Sequence, residues 1–158
     1  MDHRGHVVHS GEGFAMDDTY FTDKVRVVLQ LARDESQRLG ARHIGAEHIL
    51  LAMLKHGNNS GADALVALGI DTEEAAETLE AELRASAGMA GRDRDKAHAA
   101  KHLLRLADHL AADMGPEGEA DVSHLLLAIL TFEAAPGVAL LVERGVTFEA
   151  VTHHISRL

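Results

Sequence analysis

No cysteine occurs anywhere in this chain, which excludes a disulfide framework, a thiolate metal site and a thiol nucleophile. That fits a reducing compartment, so a cytoplasmic location is expected. Tryptophan is also missing, and aromatics make up 3% of residues against 46% hydrophobic. A core must therefore come from Leu, Val, Ile and Ala. No apolar run approaches the roughly 20 residues that span a bilayer. The first residues carry histidines and glycines rather than the basic-then-apolar pattern of a signal peptide, so no membrane partner is expected. Basic charge is scarce as well: 15 Lys and Arg face 25 Asp and Glu, a formal net charge of −10. Duplex binding rests on cations that neutralise phosphates, so nucleic acid is not an expected partner. The chain holds no G-x-x-x-x-G-K-[ST] phosphate loop. None of Ser10, Ser36, Ser60, Ser86, Ser123 and Ser156 sits in a G-x-S-x-G setting. With no nucleophile in evidence, the expectation is a protein that is not an enzyme and uses no cofactor.

What is present is said twice. His48-Ile49-Leu50-Leu51-Ala52-Met53-Leu54 returns as His124-Leu125-Leu126-Leu127-Ala128-Ile129-Leu130, a displacement of 76 (124 − 48). The same displacement relates Ala64-Leu65-Val66 and Gly69-Ile70 to Leu140-Leu141-Val142 and Gly145-Val146 (145 − 69). Upstream, Val28-Leu29-Gln30-Leu31-Ala32 answers to Leu103-Leu104-Arg105-Leu106-Ala107 at 75 (103 − 28). Three blocks in one order mark a duplicated unit, with a period longer than the 20–50 residues of solenoids. Two copies closing on one shared apolar seam are the expectation, and 158 residues suffice for one such core.

The periodicity predicts an all-α fold of two tandem, pseudo-symmetric four-helix repeats. Thr22 is a good N-cap for a first helix whose Val25, Val28, Leu29, Ala32, Ser36 and Leu39 form one stripe, and Gly40 stops it. A second helix begins near Ala46, Ser60 caps a short third, and Asp71 with Glu74 opens a fourth to about Ala85. The second copy runs from about Asp95 to Ala112, then from Val122 to about Phe132. Pro136 suits the first turn of the third helix, and Thr147 caps the last, to Ser156. Residues 1–18, with three glycines, read as a flexible tail, and Met16 is a second candidate for the initiating residue. Residues 19–158 then form the domain: repeat one 20–85, linker 86–94 and repeat two 95–158.

Twelve histidines raise the question of metal. His48 and His124 occupy equivalent positions at helix starts, where an imidazole hydrogen-bonded to backbone explains the pair. His98 and His102 share one helix face, with His109 farther along it, but a structural or catalytic site needs three or four ligands. His3, His6 and His9 lie in the tail and His153-His154 near the C-terminus. No physiological metal is expected.

Phe21-Thr22-Asp23 leading into Val28–Ala32, Ile44-Gly45-Ala46-Glu47-His48-Ile49-Leu50-Leu51, and Leu68-Gly69-Ile70 resemble the Clp repeat. That repeat occurs twice in the N-terminal domain of ClpC-type AAA+ unfoldases. The resemblance covers residues 20–158 and implies an interaction domain; with no phosphate loop in the chain, either a free-standing Clp N-domain or a part of a longer protein is expected, the former preferred. Clp ATPase or protease components, adaptors, substrate proteins and peptide-like small molecules are the implied partners. It also implies a phosphoarginine pocket built from Thr22, Glu47 and Ile49. At the matching positions of the second copy stand Ala97, Ser123 and Leu125; without the carboxylate, that second site is expected to be degenerate. Ala46 replaces the family's usual Thr at the second helix start. The rival reading is a small-molecule or metal-binding sensor on the same scaffold, and a third is a remnant serving only self-association or docking to a Clp hexamer.

Overall fold

Thr22 is extended backbone, and its hydroxyl accepts the amide of Val25 at 3.4 Å, so the first helix begins at the next residue. The computed structural model describes residues 21–86, 99–114 and 119–157. Among these are eight helices: α1 Asp23–Arg38, α2 Ala46–His56, α3 Ser60–Ala67, α4 Thr72–Ala85, α5 Ala99–Met114, α6 Val122–Leu130, α7 Val138–Glu143 and α8 Phe148–Ser156. The tail 1–18, linker residues 87–94 and positions 95–98, where a longer α5 was expected, lie outside the described residues.

The duplication is visible in the turns. At the end of α3 the amides of Gly69 and Ile70 donate to the carbonyls of Val66 and Leu65, both at 2.9 Å. At the end of α7, Gly145 and Val146 donate to Val142 and Leu141 at 3.0 and 2.9 Å. Both turns need φ near +94° and +93°, open to glycine and strained for other residues. Asp71 and Thr147, 76 apart, likewise cap α4 and α8 through side-chain oxygens.

Two helix starts and one cap differ from expectation. Asn59, not Ser60, caps α3: its Oδ1 accepts from Ala62 at 2.7 Å while its Nδ2 donates to the Met53 carbonyl at 3.2 Å. Gly45, not Ala46, is the N-cap of α2. Pro136 lies in the turn before α7, which starts at Val138 after Gly137 at φ +93°.

One apolar core runs through both copies. α1 packs on α2 and α5 on α6, α4 lies on α2 and α8 on α6, and α3 crosses into the second repeat against α6 and α8. Leu51 and Leu127, equivalent by 76, are both fully buried. The shared seam expected from the sequence is therefore present. Strand pairing among the described residues is limited to one parallel bridge between Phe21 and Ala120, and no described helix is long and apolar enough to cross a membrane.

On the outer face of repeat one, Arg38 grips Glu80 through two bonds of 2.9 and 3.0 Å. Glu80 also takes Arg84 at 2.9 Å, and Lys55 reaches Glu35 at 3.0 Å. The network ties α1, α2 and α4 together. Hydrogen bonds from Arg38, then Arg84, push the Glu80 carboxyl down to about 2. A carboxyl below its unfolded value adds stability above about pH 4.5 and loses it as pH falls toward 2. We therefore expect Glu80→Gln to cost about 1 kcal/mol at neutral pH, an amount typical of exposed networks. In urea melts from pH 7 to 2.5 the gap to wild type should close.

Candidate functional site

The two helix starts that carry the repeated Glu/Ser-His pair are built alike and finished differently. At α2, Gly45 is the N-cap and its amide donates to His48 Nδ1 at 2.9 Å. At α6, Asp121 is the N-cap and its amide donates to His124 Nδ1, also at 2.9 Å. The imidazole takes the role that Glu plays in a capping box. Since an amide can only donate, each Nδ1 is an acceptor and the proton sits on Nε2. Burial holds the His124 imidazolium below its usual range, against a weaker opposing pull from Asp121. Both histidines are thus satisfied within the fold, as the duplication suggested. Among the described residues no three of His, Asp and Glu gather closely enough to hold a metal.

The expected pocket residues do not converge on one place. Glu47, the second residue of α2, is 3% exposed and lines a cleft of about 530 Å³. The remaining walls come from Gly45, Ala46, Ala99, His102 and the segment 131–136 of the other repeat. His102 and Phe132 stack at a tilt of 58° with ring centroids 5.5 Å apart. Thr22 and Ile49 do not line this cleft. Ile49 is fully buried in the core, as is its counterpart Leu125. Thr22 belongs instead to the start of α6: its amide donates to the Ala120 carbonyl at 3.0 Å and its hydroxyl to Asp121 Oδ1 at 2.7 Å. Ala97 lies outside the described residues, two positions before Ala99.

Each helix start therefore faces residues of the opposite repeat. Thr22 stands with Ala120 and Asp121, while Glu47 shares its cleft with Ala99 and His102 of α5. Ser123 is 5% exposed, and its amide donates to Ser60 Oγ at 2.8 Å. That serine comes from α3 of repeat one and seals a first-turn amide of α6. Beside α2 the position equivalent to Ser60 (136 − 60 = 76) is Pro136, which has no hydroxyl and lines the cleft. Locally, Ser60 reads as a cap for its own helix, so nothing in the nearby sequence marks its role at α6.

Residues 20–143 match the Clp repeat (R) N-terminal domain. The chain belongs to the Clp repeat N-terminal domain family. It is 28% identical over 144 residues to the negative regulator of genetic competence ClpC/MecB of Bacillus subtilis (strain 168), an alignment covering 87% of this chain and 17% of that protein. Against the chaperone protein ClpB of Oceanobacillus iheyensis the identity is 27% over 141 residues, covering 87% and 17%. Against the chloroplastic chaperone protein ClpC1 of Oryza sativa subsp. japonica it is 37% over 65 residues, covering 41% and 7%. The chain thus spans between 7% and 17% of the length of these relatives.

The spacing of Gly45 and Glu47 in Ile44-Gly45-Ala46-Glu47 has a geometric consequence. A Cβ at Gly45 would lie 2.6 Å from Glu47 Oε1 and 2.8 Å from Oε2, so the carboxylate folds over the glycine. Gly45→Ala is expected to cost some stability, since Ala is a poorer N-cap than Gly and its Cβ would press on a carboxylate that is nearly buried. It should also weaken any ligand held by Glu47, and thermal melts beside a binding titration would separate the two effects.

Proposed function

We propose that this Clp repeat domain is a non-catalytic protein-interaction module whose recognition site is the cleft at the start of α2. The observation that supports it is the contrast between the two helix starts. α6 is sealed by Ser60 and by the Thr22–Asp121 bond, whereas α2 opens on a cleft with a nearly buried carboxylate. A carboxylate takes a guanidinium through paired, charge-assisted hydrogen bonds. Helix-start amides and an imidazole N–H suit the phosphoryl oxygens of the same group. Phosphoarginine carried on a protein, the ligand implied by family resemblance, meets both requirements in one side chain. The His102–Phe132 pair supplies an apolar wall for its methylene stem.

The domain would then hold tagged substrates or adaptors. By that binding it would deliver cargo to a Clp protease, compete with the protease's own N-domain, or sequester ligands aimed at that domain. Isothermal titration with phosphoarginine tests the reading. One site per chain is expected, insensitive to Ser123→Ala; two equivalent sites, or none, would contradict it.

A further inference from the structure

The two repeats also differ where the third helix of one meets the fourth helix of the other. At the α7–α4 meeting, Arg144 at the C-cap of α7 clasps Glu74 in the first turn of α4 through bonds of 2.6 and 3.1 Å. The clasp closes that surface with opposite charges from the chain itself. At the α3–α8 meeting, the positions equivalent by 76 are Leu68 and Ala150, so no clasp is available (144 − 68, 150 − 74). What stands there is a groove of about 400 Å³, with Ala67, Leu68 and Ala150 as its apolar floor and His153, His154 and Arg157 at its edge.

The polar groups differ as well. α4 presents Glu73, Glu74 and Glu77, while α8 presents His153, His154 and, at its C-cap, Arg157. Neither Asp63 of α3 nor Glu149 of α8 lines the groove. Among the described residues no carboxylate pairs with Arg157 or with either imidazole, in a chain of net charge −10. One guanidinium with two imidazoles, which can donate hydrogen bonds, favours an anionic partner, and small apolar walls around a groove of this size admit one or two hydrophobic side chains.

We propose that the α3–α8 groove is a second docking site, distinct from the α2 cleft, for an acidic peptide segment of a partner protein. An apolar side chain of that segment lies on Leu68 and Ala150. Its flanking carboxylates meet Arg157, in the forked geometry guanidinium favours, and the two imidazoles. Arg157, at the C-cap of α8, also complements its helix dipole, so the test must separate binding from helix stability.

The chain supplies its own closing variant. Leu68→Arg with Ala150→Glu copies the Arg144–Glu74 clasp into the groove. The probe is a short fluorescein-labelled peptide with Leu and Phe set among Asp and Glu, followed by anisotropy. Wild type should bind it. Arg157→Glu with His154→Glu should weaken it by at least about tenfold, the scale of one lost charge-assisted contact. The clasp variant should lose it while melting at or above the wild-type temperature. A Lys-for-Asp/Glu version of the peptide should fail to bind. Undiminished binding to the clasp variant would overturn the proposal, as would absence of wild-type binding, or equal binding of a single-stranded DNA oligonucleotide.

Discussion

Glu47→Gln should reduce phosphoarginine affinity by about 10- to 150-fold, the equivalent of one charge-assisted hydrogen-bond set of about 1.5–3 kcal/mol. The substitution keeps the shape of a side chain that is 3% exposed and folded against Gly45. It removes the charge that a guanidinium needs while leaving an acceptor oxygen in place. Its stability cost should be small by comparison, because the favourable effect of an anion in the first turn of a helix is about 0.3–1 kcal/mol. Glu47→Ala should abolish measurable binding and cost more stability, since it also empties the buried space. Ser123→Ala, at the matching position of α6, should leave affinity unchanged: its amide is held by Ser60 and its hydroxyl has no part in the cleft. Titration calorimetry of the three variants at one ionic strength gives the comparison.

Leu51→Ala and Leu127→Ala are each expected to lower the unfolding free energy by about 2–5 kcal/mol, the range for emptying a fully buried leucine site. Both side chains are completely buried in helices α2 and α6, at equivalent points of the one core that joins the repeats. Because that core is shared, damage at either point should be felt in both copies. Each variant should still unfold in a single transition. Amide exchange should accelerate in α5 and α6 when Leu51 is truncated, and in α1 and α2 when Leu127 is. Two separate transitions, or faster exchange confined to the mutated repeat, would mean that the copies fold as independent units. The damage should exceed that of losing the Glu80 network, whose members all retain contact with water.

The parts of this fold that were legible in the sequence are those decided within a few residues. Thr22, Asp71 and Thr147 declare helix starts because their side-chain oxygens satisfy amides of the same turn. Gly69 and Gly145 declare helix ends because the turn demands positive φ. The starts that were misplaced are those where a distant or neighbouring group casts the deciding vote. Asn59 prevails over Ser60 as a cap because its amide also reaches the Met53 carbonyl, while Ser60 is drawn to the Ser123 amide in the other repeat.

The site followed the same division. Glu47 could be picked from the Ile-Gly-x-Glu pattern, and the satisfied role of His48 and His124 from their duplication. The family resemblance, however, groups Thr22 with Glu47 and Ile49, all in the first copy. The fold groups by contact and sets Thr22 against Asp121. Periodicity carries no record of that exchange across the repeats. A faint signal did exist: Asp121 supplies, at the N-cap of α6, a carboxylate that Gly45 does not supply at α2.

The account turns on where a ligand sits, so the most direct measurement is an amide chemical-shift titration of the isotopically labelled chain with phosphoarginine. Shifts are predicted at Gly45, Ala46, Glu47, Ala99, His102 and Thr131–Ala135, with Thr22, Asp121 and Ser123 unmoved. A response centred on Thr22, Asp121 and Ser123, with the α2 cleft silent, would contradict it.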